Sequence, residues 1–134
     1  MLDHQSALIY TMVLAAAADT GMTDAEMHTI GDAVNHLPIF SGYDTARLTK
    51  TLAACADLVQ KHSGLDLAIN EIRNALPPRL RETAYAFACD IVASDGEASQ
   101  EELRLLEMLR DRLSIDRLVA AAIERAARAR FMTI

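Results

Sequence analysis

Six carboxylates mark where this chain could do chemistry: Asp90, Asp95, Glu97 and Glu102 in one stretch, and Asp19 and Glu26 in an earlier one. The later stretch, Asp90–Glu102, holds five carboxylates with Glu101, and neither Lys nor Arg interrupts it. Oxygen-rich, uncompensated clusters suit hard divalent cations, which take about six to eight oxygens from carboxylates, carbonyls and water. An EF-hand frame can be tested directly. Placing Gly96 at the loop's invariant glycine puts Asp95 and Glu102 at ligand positions, but it leaves Ile91 and Ala93 where the first two ligands belong. The frame fails, so an ion here (Ca, Mg, Mn or Zn) would use another, wetter geometry, completed by Asp19 and Glu26. No cation is obligatory on this reading.

The elements that must position these groups are two helix–turn–helix elbows. Asp95-Gly96 is a turn dipeptide, and Ser99 with Glu102 three residues on has the form of a capping box, as does Thr23 with Glu26. At an offset of 76 positions, Asp19 lies over Asp95, Thr23 over Ser99, Glu26 over Glu102, Met27 over Leu103 and Ile30 over Leu106. Cap, preceding Asp and following apolar positions match in one frame, which reads as a degenerate internal duplication. A purely structural reading stands beside the cation reading. Ser99 and Glu102 then only cap a helix, with Glu101 and Glu102 at its positive end. That reading accounts for Glu102 and Asp95 but leaves Asp90 unexplained inside an apolar helical pattern.

Other candidate groups carry less. His28, Asp32 and His36 share one helix face, but eight residues separate the histidines, about 12 Å of helix rise, so both cannot hold one ion. A solvated face is the expectation. Arg125, Arg128 and Arg130 cluster where cations oppose a helix dipole, and Met12, Met27 and Met108 fall at core spacing. Neither Cys55 nor Cys89 has a His nearby in sequence, and GxSxG, P-loop and GxGxxG patterns are all absent. The expectation is a protein without enzymatic activity. The weakest alternative is a metal-dependent hydrolase using Asp90 and Asp95.

The remainder of the chain reads as helix throughout. Its 134 residues are 51% hydrophobic yet only 4% aromatic, so small and aliphatic side chains do the packing. Strict apolar–polar alternation is scarce. Helices are expected from Gln5 to Ala18, after the Thr23 cap, after the Asp44 cap, over Leu65–Leu76, from Pro78 into the acidic elbow, after Ser99, and beyond Asp116. Predicted apolar stripes include Met27, Ile30, Val34 and Leu37, then Leu103, Leu106, Leu109 and Leu113, then Leu118, Val119, Ala122, Ile123 and Ala126. Gly64 is predicted as the residue ending helix three. Pro38 closes helix two, because the residue before a proline is pushed out of α geometry. The prediction is all-α: one domain over residues 1–134, a bundle of about seven helices with a degenerate internal duplication. Net charge of −6 argues against a nucleic-acid partner. No apolar run reaches membrane-span length, and two cysteines inside helical patterns read as buried free thiols of a cytoplasmic protein.

The run Ala93, Ser94, Asp95, Gly96, Glu97, Ala98, Ser99, Gln100, Glu101, Glu102, Leu103 resembles a motif of the TerB family of tellurite-resistance proteins and its TerB-like relatives. The resemblance spans nearly the whole chain, with helices one and two and helices five and six matching the family's duplicated halves. It implies an all-helical bundle, no enzymatic activity, and acidic positions that bind divalent cations. It also implies a stress-response adaptor working with protein partners, including a TerC-type integral membrane protein that would hold it at the inner face of the membrane. On that basis Asp95 and Glu102 carry over from the second copy, and Asp19 and Glu26 from the first. The first copy departs from the motif in having Thr20 where the glycine belongs, with Gly21 one residue later.

Overall fold

A computed structural model of the chain describes residues 2–18 and 21–134. Among these residues there are seven α-helices and no strand: α1 His4–Ala16, α2 Asp24–His36, α3 Leu48–Val59, α4 Gly64–Ala75, α5 Pro78–Ala93, α6 Gln100–Arg112 and α7 Arg117–Arg130. Two 3₁₀ turns, Pro38–Phe40 and Thr45–Arg47, connect α2 to α3. The all-α expectation and its helix order hold. Under the 76-residue offset the bounds of α2 and α6 coincide, and α1 falls within α5, as a duplication requires.

The core is built around α1. Every residue from Ser6 to Ala16 is buried, so this helix is apolar all round and sits at the centre. Its N-terminus is fixed by Asp3, whose carboxylate accepts from the Ser6 amide at 2.7 Å. Helix α1 packs most extensively on α5, its counterpart in the second copy, and also meets α3 and α4. Small buried residues, among them Ala7, Ala15, Ala84 and Ala88, belong to these two helices, which is how a chain poor in aromatics fills its interior. Helix α7 lies on the outer side of α5.

Several expected details are corrected. Gly64 does not end α3; it begins α4, and the left-handed residue before it is Ser63, at φ 57°. Glycine is required there because a Cβ would stand 2.4 Å from the Leu58 carbonyl oxygen and 2.5 Å from that of Val59. The spacing of Met27 and Leu103 places them in the core, yet both are exposed. They occupy the fourth helical position after their caps, one residue past the buried Glu26 and Glu102, and face away from the core. On α6 the interior is supplied by Leu105, Leu106 and Leu109. The α7 stripe expected from periodicity is misphased: Ala120 and Ala127 are buried, Ala122 and Ala126 are exposed, and Leu118 is 79% exposed. Close approach of α7 to α5 selects alanine at the contact, so the bulkier residue no longer marks the inner face. Cys55 and Cys89 are both free and buried, and no helix among the described residues is long and apolar enough to cross a membrane.

Candidate functional site

Both elbows carry complete capping boxes. The Thr23 hydroxyl accepts from the Glu26 amide at 3.1 Å, and Glu26 Oε1 accepts from the Thr23 amide at 2.8 Å. In the second copy the Ser99 hydroxyl accepts from the Glu102 amide at 3.0 Å, and Glu102 Oε1 accepts from the Ser99 amide at 2.9 Å. The two boxes therefore repeat almost bond for bond. Both glutamates are buried by this folding-back, Glu26 to 1% and Glu102 to 3% exposure. The positive φ that turns each elbow falls on Gly96 in the second copy and one residue later, on Gly21, in the first.

The elbows are joined to each other. The Thr23 hydroxyl, already an acceptor in its own cap, donates to Asp95 of the other copy, 3.1 Å from Oδ1 and 3.3 Å from Oδ2. Asp95 is thereby held at the positive end of α2 while belonging to the loop before α6. This bond spans 72 residues, and nothing in the local pattern of Thr23 announces it.

Glu26 lies within electrostatic reach of both Asp95 and Glu102. Burial pushes the Glu26 carboxyl up from its ordinary value, and the Asp95 and Glu102 carboxylates push it further, while the hydrogen bonds from Thr23 hold it back. None of Glu26, Asp95 and Glu102 forms an ion pair with a basic residue among the described residues.

The other expected members stand apart. Asp90 is not part of the elbow: it pairs with Arg130 of α7, and this accounts for an acidic residue within an otherwise apolar stretch of α5. Glu97 is exposed and lines a separate cavity between α5, α6 and α7. Asp19 lies outside the described residues. Among those described, no group of three or more His, Cys, Asp and Glu side chains is placed to hold a metal ion. His28 and His36 are on the exposed face of α2, where His28 meets Asp32 at 3.2 Å and the His36 ring contacts the Asp32 carbonyl at 3.0 Å. Arg125 and Arg128 are exposed near the end of α7.

One polar cluster falls outside the sequence expectations. Tyr85, fully buried on α5, donates to Glu124 Oε2 of α7 at 2.5 Å, and Arg110 Nη1 of α6 donates to the same oxygen at 3.0 Å. Burial first, and the bond to Glu124 second, raise the Tyr85 hydroxyl far above its ordinary value, so it stays protonated as a donor. Its only signal in sequence is a tyrosine at a core position of α5.

A sequence model of the family described as "Tellurite resistance protein TerB" matches residues 5–126. Comparison with curated proteins and with solved structures gives no significant match.

Proposed function

The chain belongs to the tellurite resistance protein TerB family, and from that premise we propose that it is a non-enzymatic stress-response adaptor whose paired elbows bind a divalent cation. The observation that supports the cation reading is that the buried Glu26 lies within electrostatic reach of Asp95 and Glu102, with no ion-paired basic residue among the described residues. Each glutamate spends one oxygen on its cap, leaving the other for a ligand or for water. All-oxygen donors of this kind fit a hard, partly hydrated ion better than a soft one. The described residues do not by themselves assemble three ligands, so the site we propose draws on Asp19 and water as well. Asp90 and Glu97 are left out of it. When bound, a cation would supply the positive charge that the cluster lacks. The residues themselves orient the carboxylates through their caps and tie the two copies together through Thr23.

The adaptor role rests on family membership. Its partner on this reading is a protein, of which a TerC-type integral membrane protein is the expected case, and the chain would act at the cytoplasmic face through that partner. A second reading is favoured by the Thr23–Asp95 bond and by the absence of a ready ligand set among the described residues. On this view the elbows are only a structural clasp of an interaction module with no ion.

Thermal unfolding of chelator-treated protein separates the two. It is run with and without millimolar Ca²⁺, Mg²⁺, Mn²⁺ or Zn²⁺ on wild type, Asp95→Asn and the control Asp90→Asn. An ion at about a hundred times its dissociation constant adds about 2.7 kcal/mol, roughly 10 °C in Tm for a chain of this length. The cation reading expects a shift in wild type and Asp90→Asn that is lost in Asp95→Asn. No shift with any of the four ions rejects it in favour of the clasp.

A further inference from the structure

We propose that α7 is a hinged strap, which swings off α5 as a unit while the other six helices stay folded, and so uncovers the wall formed by Tyr85, Cys89 and Val92. The device is independent of the cation reading. Its base is fixed. Leu113 and Ile115, on the link from α6, are buried, and Arg73 of α4 donates to the Arg112 carbonyl and to Ser114 Oγ. Between the two buried residues Ser114 takes the left-handed conformation, at φ 57°, and Asp116 then caps α7. Rotation about these few linking residues moves α7 without disturbing its base.

The attachment beyond that base is thin. Among the described residues α7 packs on α5 and meets no other helix to a comparable extent. Its buried residues are Ala120 and Ala127, each contributing a single methyl group, with Val119 and Ile123 half-buried beside them. Open hollows flank the far half of the helix, about 510 Å³ on the side of α6 and about 440 Å³ on the side of α2, and Phe131 borders both. The central helix α1 draws its cover from α2, α3, α4, α5 and α6, so its core does not require α7.

What closes the strap is polar. Glu124 accepts from Tyr85 of α5 and from Arg110 of α6, and Arg130 at the far end pairs with Asp90 of α5. Water replaces hydrogen bonds and part-exposed ion pairs at small net cost, whereas it cannot replace buried apolar contact. The strap therefore opens at a lower free energy than the whole chain unfolds. Cys89 reports the opening, because it is buried in the wall that α7 covers. Burial, above all, pushes its thiol up to about 12 in the closed form; exposure returns it to the ordinary range, where it reacts. Cys55 is the internal reference, since it is fully buried on α3 against the Tyr10 carbonyl of α1.

The full chain is treated with N-ethylmaleimide in chelator, in steps of urea below the unfolding transition, and each cysteine is followed by peptide mass spectrometry. Cys89 should be modified about a hundredfold faster than Cys55, at a rate that rises with urea on a shallower slope. Ile69→Val, a change in the core between α1 and α4, should speed Cys55 about fivefold and leave Cys89 unaltered. Glu124→Ala should speed both by about tenfold, since its bonds are broken in the open and the unfolded states alike. A Cys89 rate and slope equal to those of Cys55 would overturn the strap, as would equal acceleration of both by Ile69→Val. A Cys89 rate that ignores urea and Glu124→Ala would mean that the reagent enters through the hollow with α7 in place, which overturns it too.

Discussion

Removing the Thr23 hydroxyl should cost more than removing an ordinary helix cap, because one oxygen serves both copies of the duplication. Ser99→Ala sets the reference: it deletes the acceptor for the Glu102 amide, and such a cap is worth about 1 kcal/mol. Thr23→Ala deletes the equivalent acceptor and also the donor to Asp95. A hydrogen bond to a charged group is worth more than a neutral one, but Asp95 is exposed, so solvent reduces this second part to about 0.5–1 kcal/mol. The total is about 1.5–2 kcal/mol. Unfolding entropy near 2.1 cal/mol/K per residue amounts to about 0.28 kcal/mol/K over this chain. Ser99→Ala should therefore lower Tm by about 4 °C and Thr23→Ala by about 5–7 °C. The assay is thermal unfolding in chelator of wild type, Thr23→Ala, Asp95→Ala and the double variant, with Ser99→Ala alongside. The cycle should return a Thr23–Asp95 coupling of about 0.5–1 kcal/mol. Additivity of the two single variants within about 0.3 kcal/mol would refute the clasp between elbows.

Two further outcomes follow from the same geometry. Because the Glu26 carboxyl is raised in the folded state, the folded chain holds that proton to higher pH than the unfolded chain does. Its contribution to stability is therefore greatest when protonated and falls as pH rises from the ordinary carboxylate value through the raised one. Glu26→Gln, which keeps an acceptor for the Thr23 amide, should flatten the part of the urea-midpoint profile just above the ordinary carboxylate value; an unaltered slope would contradict the raised carboxyl. Gly64→Ala should destabilise by about 2 kcal/mol or more in denaturant unfolding, since the new Cβ meets backbone oxygens at 2.4 and 2.5 Å that cannot rotate away. A loss below about 0.5 kcal/mol would show that α3 and α4 are not held so closely.

Local chemistry makes much of this protein legible in its amino-acid sequence. Capping boxes act over three residues, so Thr23–Glu26 and Ser99–Glu102 can be read directly, and their shared frame locates the starts of α2 and α6. The Asp116 cap and Pro78 in the first turn of α5 are legible for the same reason. Apolar periodicity identifies the helices, but it predicts the inner face poorly wherever neighbouring helices approach closely. On α7 the contact with α5 admits Ala120 and Ala127 and leaves Leu118 in solvent.

The amino-acid sequence alone determined that this chain is helical, where most helices begin, and that it contains two related elbows, because those properties depend on residues within a turn or two of each other. Tertiary structure decided which partner each polar side chain meets. Asp95 reaches Thr23 across 72 residues, Asp90 is drawn to Arg130 across 40, and Tyr85 finds Glu124 across 39. Each of those choices depends on how two helices are turned about their axes when they pack. A rotation of one residue, about 100° on an α-helix, carries a side chain from one partner to another. Equal spacing in sequence therefore left Asp90 and Asp95 looking like members of one site, and packing separated them.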